Sequence, residues 1–141
     1  MSAISATNCG LVFVGAGVGG VARFIAGAAI HASTSRLALF QQFPIGTLAV
    51  NVTGCLAMGV LMGWWSLSGS QSSPTGREEW KVLLLVGVLG GYTTFSSFGR
   101  DFLELMHAGN PSRACAYVAL SVVLSLLAVW LGHALGVLLR S

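Results

Sequence analysis

Four apolar runs, about residues 11–30, 45–67, 82–105 and 114–139, take up most of this chain. Each approaches or exceeds the roughly 20 residues that a helix needs to cross a bilayer. A segment crossing lipid must satisfy its backbone hydrogen bonds internally, so each run reads as an α-helix. Composition agrees: 55% of the 141 residues are hydrophobic and only 8% are charged, against about 25% charged in soluble domains. The expected fold is therefore an all-α membrane protein, one four-helix transmembrane domain bathed in membrane lipid. The formal charge of +3 comes from few residues, with no basic cluster suited to nucleic acid. Cys9, Cys55 and Cys115 form no metal-ligand or CxxC spacing and read as small apolar fillers. No Lys or Arg precedes the first run, so the n-region of a signal peptide is missing and that span is expected to stay in place.

The third run carries a contradiction at its centre, Gly87-Val88-Leu89-Gly90-Gly91-Tyr92-Thr93-Thr94-Phe95-Ser96-Ser97-Phe98. Glycine lowers helix propensity, and Thr and Ser offer the backbone competing local hydrogen bonds. This pattern predicts a helix broken near the membrane midplane. Non-helical backbone at that depth survives only inside protein or beside water, and broken helices mark ion and substrate sites. Phe95 and Phe98, three apart, fall on one face of the half-helix after the break. Arg100, Asp101 and Glu104 are expected at its far, charged end, followed by a Gly109-Asn110-Pro111 turn.

The remaining runs are read against this one. In the first, Gly15, Gly17 and Gly20 match a GxGxxG spacing, but the strand–turn–helix context that a dinucleotide fingerprint requires is absent. Gly15 and Gly19 instead make a small-xxx-small pair for close helix approach. Arg23, inside apolar sequence, marks either a functional site or a side chain snorkelling to the interface. A short loop from His31 to Phe43 with Arg36 follows, and Pro44 starts the second helix. In that helix Thr47 and Asn51 are four apart and share a face. Asn51 is either interhelical glue or a donor toward an anion path. Gly54, Gly59 and Gly63 read as packing surfaces, and Trp64 and Trp65 as an interfacial anchor. Ser66 to Glu79 is expected to be a solvated loop. In the fourth run Tyr117, Ser121 and Ser125 lie four apart, a polar stripe on an apolar helix.

Three of these segments resemble one family. GGYTTFSSF is similar to the GGxTTFSTF run of the Fluc (CrcB-type) fluoride channels. GTLAVNVTGCLAMG resembles their GTLxVNxxGxxxxG, and GAGVGGVARF their GGxxGAxxRY, departing at Ala16, Gly20 and Phe24 but keeping Arg23. Asp101 stands where the family commonly has Glu. The resemblance implies a passive fluoride-selective channel that lowers cytoplasmic fluoride. It also implies residence in the plasma (inner) membrane of a prokaryote and an antiparallel, dual-topology homodimer with two anion pores. It makes Phe95 and Phe98 pore residues, with ring edges toward the anion. Thr47, Asn51, Thr94, Ser97, Tyr117, Ser121 and Ser125 become candidate donors, and Arg23 belongs near the aqueous vestibule. The carbonyls of Gly90 and Thr93 from both subunits are implied to hold a structural Na⁺, consistent with hard oxygens preferring hard cations.

Charge placement bears on the same architecture. Arg77, Lys81 and Arg140 fall on one side of the membrane, and Arg36, Arg100 and Arg113 on the other. That balance leaves the positive-inside rule little to act on. Four spans leave little room for a conduit within one subunit, so an antiparallel pair follows. A small proton-coupled exporter of the multidrug type is the alternative. It needs a carboxylate inside a span, and Glu78, Glu79, Asp101 and Glu104 are all expected near span ends. An enzyme is not expected, because His31, His107 and His133 lie far apart with no HExxH spacing.

Overall fold

Helix follows helix along this chain because its apolar runs contain almost nothing that could end one. The computed structural model describes residues 5–34, 43–66 and 74–140, the side chains of 74–77 excepted. Helix α1 spans Ala6–Thr34 and α2 spans Ile45–Ser66. Next come α3 (Pro74–Lys81), a π-helical segment (Val82–Leu89), the single turn α4 (Gly90–Tyr92) and α5 (Phe95–His107). Helix α6 closes the chain at Pro111–Leu138. No strand occurs among the described residues. Among the described residues, four helical stretches are long and apolar enough to cross a membrane: Ala6–Thr34, Ile45–Ser66, Glu78–His107 and Pro111–Leu138.

Two boundaries differ from expectation. Helix α1 runs on through His31 to Thr34, since between Ala26 and Ser33 only Gly27 weighs against a helix and the alanines around it favour one. The stretch expected to be loop before Lys81 is helical from Pro74. Proline is well suited to a first helical position, and Glu78 pairs with Lys81 at 2.8 Å one turn on. Arg36 and residues 67–73 lie outside the described residues.

Glycine sets the packing. The most extensive contact is between α2 and α6. There, a Cβ on Gly59 or Gly63 would run into the carbonyls of Val129 or His133. Reciprocally, a Cβ on Gly132 or Gly136 would strike those of Leu56 or Val60. Backbone therefore lies on backbone, which is how membrane helices gain dispersion energy without a hydrophobic drive. Helix α1 uses the same device against the third span. Its only buried residues are Gly15 and Gly19, pressed on the backbone around Gly87 and Val88.

The third span is interrupted just past the paired glycines. Gly90 and Gly91 stay helical, while Thr93 (ψ 157°) and Thr94 (φ −152°, ψ 121°) are extended. Thr94 then caps α5, its hydroxyl accepting the Ser97 N–H at 3.1 Å, as a good N-cap residue does. At the other end of α5, Gly109 takes φ 71°. Its N–H reaches the Met106 carbonyl and that of Asn110 the Leu105 carbonyl. The turn expected at Gly109–Pro111 forms in this way, with a left-handed glycine closing the helix.

Candidate functional site

The break is held by a side chain that imitates a strand. Asn51 on α2 accepts the Thr94 N–H through Oδ1 at 2.8 Å and donates Nδ2–H to the Thr94 carbonyl at 3.0 Å. One amide thus satisfies both backbone groups of an extended residue, each costly to leave unpaired in an apolar setting. Gly54, one turn along α2, makes room: a Cβ there would collide with the Thr93 methyl. On the same side Tyr92 and Thr53 share a hydrogen bond of 3.0 Å. Asn51 is therefore interhelical glue first. Its second Nδ2 hydrogen remains for another acceptor.

Two cavities meet at Thr94. The larger, about 680 Å³, lies toward the end where α1 finishes and α2 begins; Arg23, His31, Thr47, Ser97, Arg100 and Asp101 are among its lining residues. The smaller, about 350 Å³, lies beyond the break, with Asn51, Thr93, Phe95, Phe98, Ser121 and Ser125 in its wall. Thr94 lines both. Arg23 thus faces a cavity rather than merely reaching for an interface.

Phe95 and Phe98 do share a face, their ring centroids 5.3 Å apart. Their surroundings differ. Phe98 leans on Tyr117, again at 5.3 Å, and packs against the buried cluster of Leu48, Leu105, Ala114 and Tyr117. Phe95 is 84% exposed in the single chain. The stripe on α6 also divides. Tyr117 is fully buried and turns to α5, whereas Ser121 and Ser125 line the smaller cavity. Ser121 is 6% exposed; the Tyr117 hydroxyl one turn earlier is within its electrostatic reach, but its own hydroxyl makes no hydrogen bond of good geometry among the described residues. A buried hydroxyl left so costs about 1–3 kcal/mol.

Asp101 lies near the end of the third span, as the sequence reading has it, but it is buried, 4% exposed. Its Oδ2 accepts the Thr47 hydroxyl at 2.5 Å and the Tyr117 hydroxyl at 3.4 Å. Arg100 Nη2 and Nε grip its Oδ1 at 2.7 and 3.1 Å. The signal was available: on α5, Phe98, Asp101 and Leu105 recur at three- and four-residue spacing, the period of one buried face. The adjoining Arg100 and Glu104 masked it by making the region look like a solvated rim. Thr47 and Tyr117, expected as free donors, are committed to this carboxylate.

Comparison with known proteins bears on what these parts belong to. Residues 10–133 match the sequence model of a family described as CrcB-like protein, Camphor Resistance (CrcB). The chain belongs to the CrcB family. It is similar to the Fluoride-specific ion channel FluC of Coxiella burnetii, 44% identical over 131 residues, covering 92% of this chain and 97% of that protein. It is 38% identical over 125 residues to the protein of that name from Methylobacillus flagellatus (89% and 91%) and 42% over 126 residues to that of Novosphingobium aromaticivorans (89% and 93%). With four helices of spanning length and bacterial relatives, this CrcB-family chain is a multi-pass inner-membrane protein of a prokaryote. The Gly90 and Thr93 carbonyls sit at the C-terminal end of a helical segment. The Thr94 N–H, the regular partner of the Gly90 carbonyl, is taken by Asn51.

Proposed function

We propose that the chain is one subunit of a passive fluoride channel assembled as an antiparallel homodimer. The observation that carries the reading is the Ser121 hydroxyl. Ser121 lies in the wall of a cavity shared with the two phenylalanines that follow the helix break, and its buried oxygen makes no hydrogen bond of good geometry among the described residues. A small anion entering there gives it an acceptor. The names of the relatives, fluoride-specific ion channels, support fluoride as that anion.

An ion leaving water must exchange its hydration shell for fixed donors. Arg23, on the wall of the larger cavity, raises local anion concentration through its positive potential. Thr94 lines both cavities and Ser97, hydrogen-bonded to it, lines the larger; the ion would cross from one to the other beside them. Beyond them, the positive ring edges of Phe95 and Phe98, the Ser121 and Ser125 hydroxyls and the spare Asn51 hydrogen receive the ion. Thr47 and Tyr117 act one step back, their protons held on Asp101. Transport is uncoupled from protons. A proton-coupled exporter needs a buried carboxylate free to exchange with its cargo; both oxygens of Asp101 already accept hydrogen bonds, and Glu104, on the wall of the larger cavity, is 68% exposed and 3.4 Å from Arg100.

The dimer reading is supported by apolar surface. Phe13, Val14, Val18, Val21, Phe24 and Ile25 of α1, and Phe95 beside the break, are all exposed in one chain. Lipid covers part of such a surface; a second copy across Phe95 would close the smaller cavity. Gly90 and Thr93 would hold a structural Na⁺ through their carbonyls. The residues fit: the helix ends there, and Gly90 is exposed toward whatever adjoins it. The ion would neutralise converging carbonyl dipoles and tie the subunits together.

Purified protein in liposomes loaded with fluoride or chloride tests the function. Fluoride should leave rapidly once a K⁺ ionophore compensates charge, and chloride should stay. Equal chloride efflux, or efflux only under an imposed proton gradient, would refute the proposal.

A further inference from the structure

Asp101 is a buried carboxylate beside an expected anion path, and an unbalanced negative charge there would oppose conduction. Its neutral donors, the Thr47 and Tyr117 hydroxyls, both serve Oδ2. The one cation hydrogen-bonded to it among the described residues is Arg100, the preceding residue of the same helix. Arg100 reaches Oδ1 with Nε and Nη2 together, at 3.1 and 2.7 Å. Both prongs meet the same oxygen, so the hold balances the charge at Oδ1 and leaves Oδ2 to the two hydroxyls. The arginine itself is 66% exposed and also lies 3.4 Å from Glu104, itself 68% exposed. The grip therefore joins the cavity to an interior group. From Asp101 the chain of contact runs through the Tyr117 ring to Phe98, 5.3 Å from it, and so to the smaller cavity.

We propose that Arg100 is a positioning residue for anion passage. It holds the charge of Asp101 balanced at Oδ1, so that Oδ2 keeps both hydroxyls and the charge does not face the arriving ion. Arg23, which lines the same cavity, attracts the anion but makes no hydrogen bond to Asp101. Removing Arg100 therefore leaves a buried carboxylate with no hydrogen-bonded cation among the described residues. This inference rests on the fluoride-channel reading above, and the parent protein's own efflux separates the two. If the parent does not conduct fluoride, the channel reading fails. If it conducts, the variants below judge Arg100 alone.

Fluoride efflux from proteoliposomes is measured for Arg100→Gln, Arg100→Lys, and Arg100→Gln combined with Asp101→Asn, with assembly checked by size-exclusion chromatography. Arg100→Gln should slow efflux about tenfold or more, the effect of an uncompensated charge a few ångströms from the path. Arg100→Lys keeps the charge and loses the fork, and should fall between the two, within about threefold of the parent. The double variant removes the charge that Arg100 balanced, and should recover to within about threefold of the parent rate. That recovery is what a merely structural arginine, or one that binds the anion directly, would not produce. Parent-like flux in Arg100→Gln, or a double variant as slow as the single, overturns the proposal. Should Arg100→Gln fail to assemble, assembly and flux restored by adding Asp101→Asn uphold it, and failure of both variants alike overturns it.

Discussion

At the level of single residues, the two phenylalanines are not equivalent, and that sharpens their test. Phe98 packs on Tyr117 and the buried cluster, so Phe98→Ile carries a packing cost of about 1–2 kcal/mol. Phe95 touches Phe98 but is otherwise exposed in one chain. Phe95→Ile should therefore leave a single chain's stability within about 0.5 kcal/mol. Isoleucine keeps apolarity and removes the ring edge. If the edge meets the ion, efflux should drop about fivefold in Phe95→Ile, since aromatic contacts contribute about 1 kcal/mol. Phe95→Met, flexible and polarizable, should be tolerated better. Normal efflux in Phe95→Ile would remove that ring from the pathway.

Elements are joined here by glycine more than by side-chain interdigitation. A leucine at Gly132 would meet the Leu56 carbonyl of α2, and neither backbone can move without shifting a whole helix. Gly132→Leu should destabilise by on the order of 1–3 kcal/mol or more, read as a lower melting temperature in detergent. Gly17→Ala on α1 is the control. Its Cβ would meet nothing within 4 Å, and alanine is the better helix former by about 1 kcal/mol. It should melt at or above the parent temperature. Equal losses in both variants would mean that close approach of α2 and α6 is not what holds these helices.

Across the whole molecule, the open questions are insertion and assembly. Lys81 and Arg140 lie at one end of the helices and Arg100 and Arg113 at the other, so charge barely selects an orientation. Single cysteines at Ala108 and Leu139, both exposed, in a background lacking Cys9, Cys55 and Cys115, should each be labelled from both sides of the cell membrane. One-sided labelling would exclude dual insertion. Replacing Na⁺ by a bulky organic cation should lower the melting temperature of the dimer, because ligands of the folded state stabilise by mass action. A melting temperature indifferent to Na⁺ would count against the Gly90–Thr93 site.

Membrane class, span number and the existence of a break were legible in residue order alone. Hydropathy and helix-breaking chemistry are local, and lipid allows the backbone almost no alternative to a helix. The turn at Gly109 and the packing role of Gly15 and Gly19 were readable for the same reason. What required the tertiary structure was pairing between residues distant in sequence. Asn51 and Thr94 stand 43 positions apart, and no spacing rule announces that an amide will complete a broken helix. Asp101 reads in sequence as one of three charges closing a span, because Arg100 and Glu104 flank it. Only the approach of α2 and α6 brings Thr47 and Tyr117 onto it and makes burial of a carboxylate tolerable. Local order settles what each helix is made of; how closely its backbone meets the next decides which polar groups find one another.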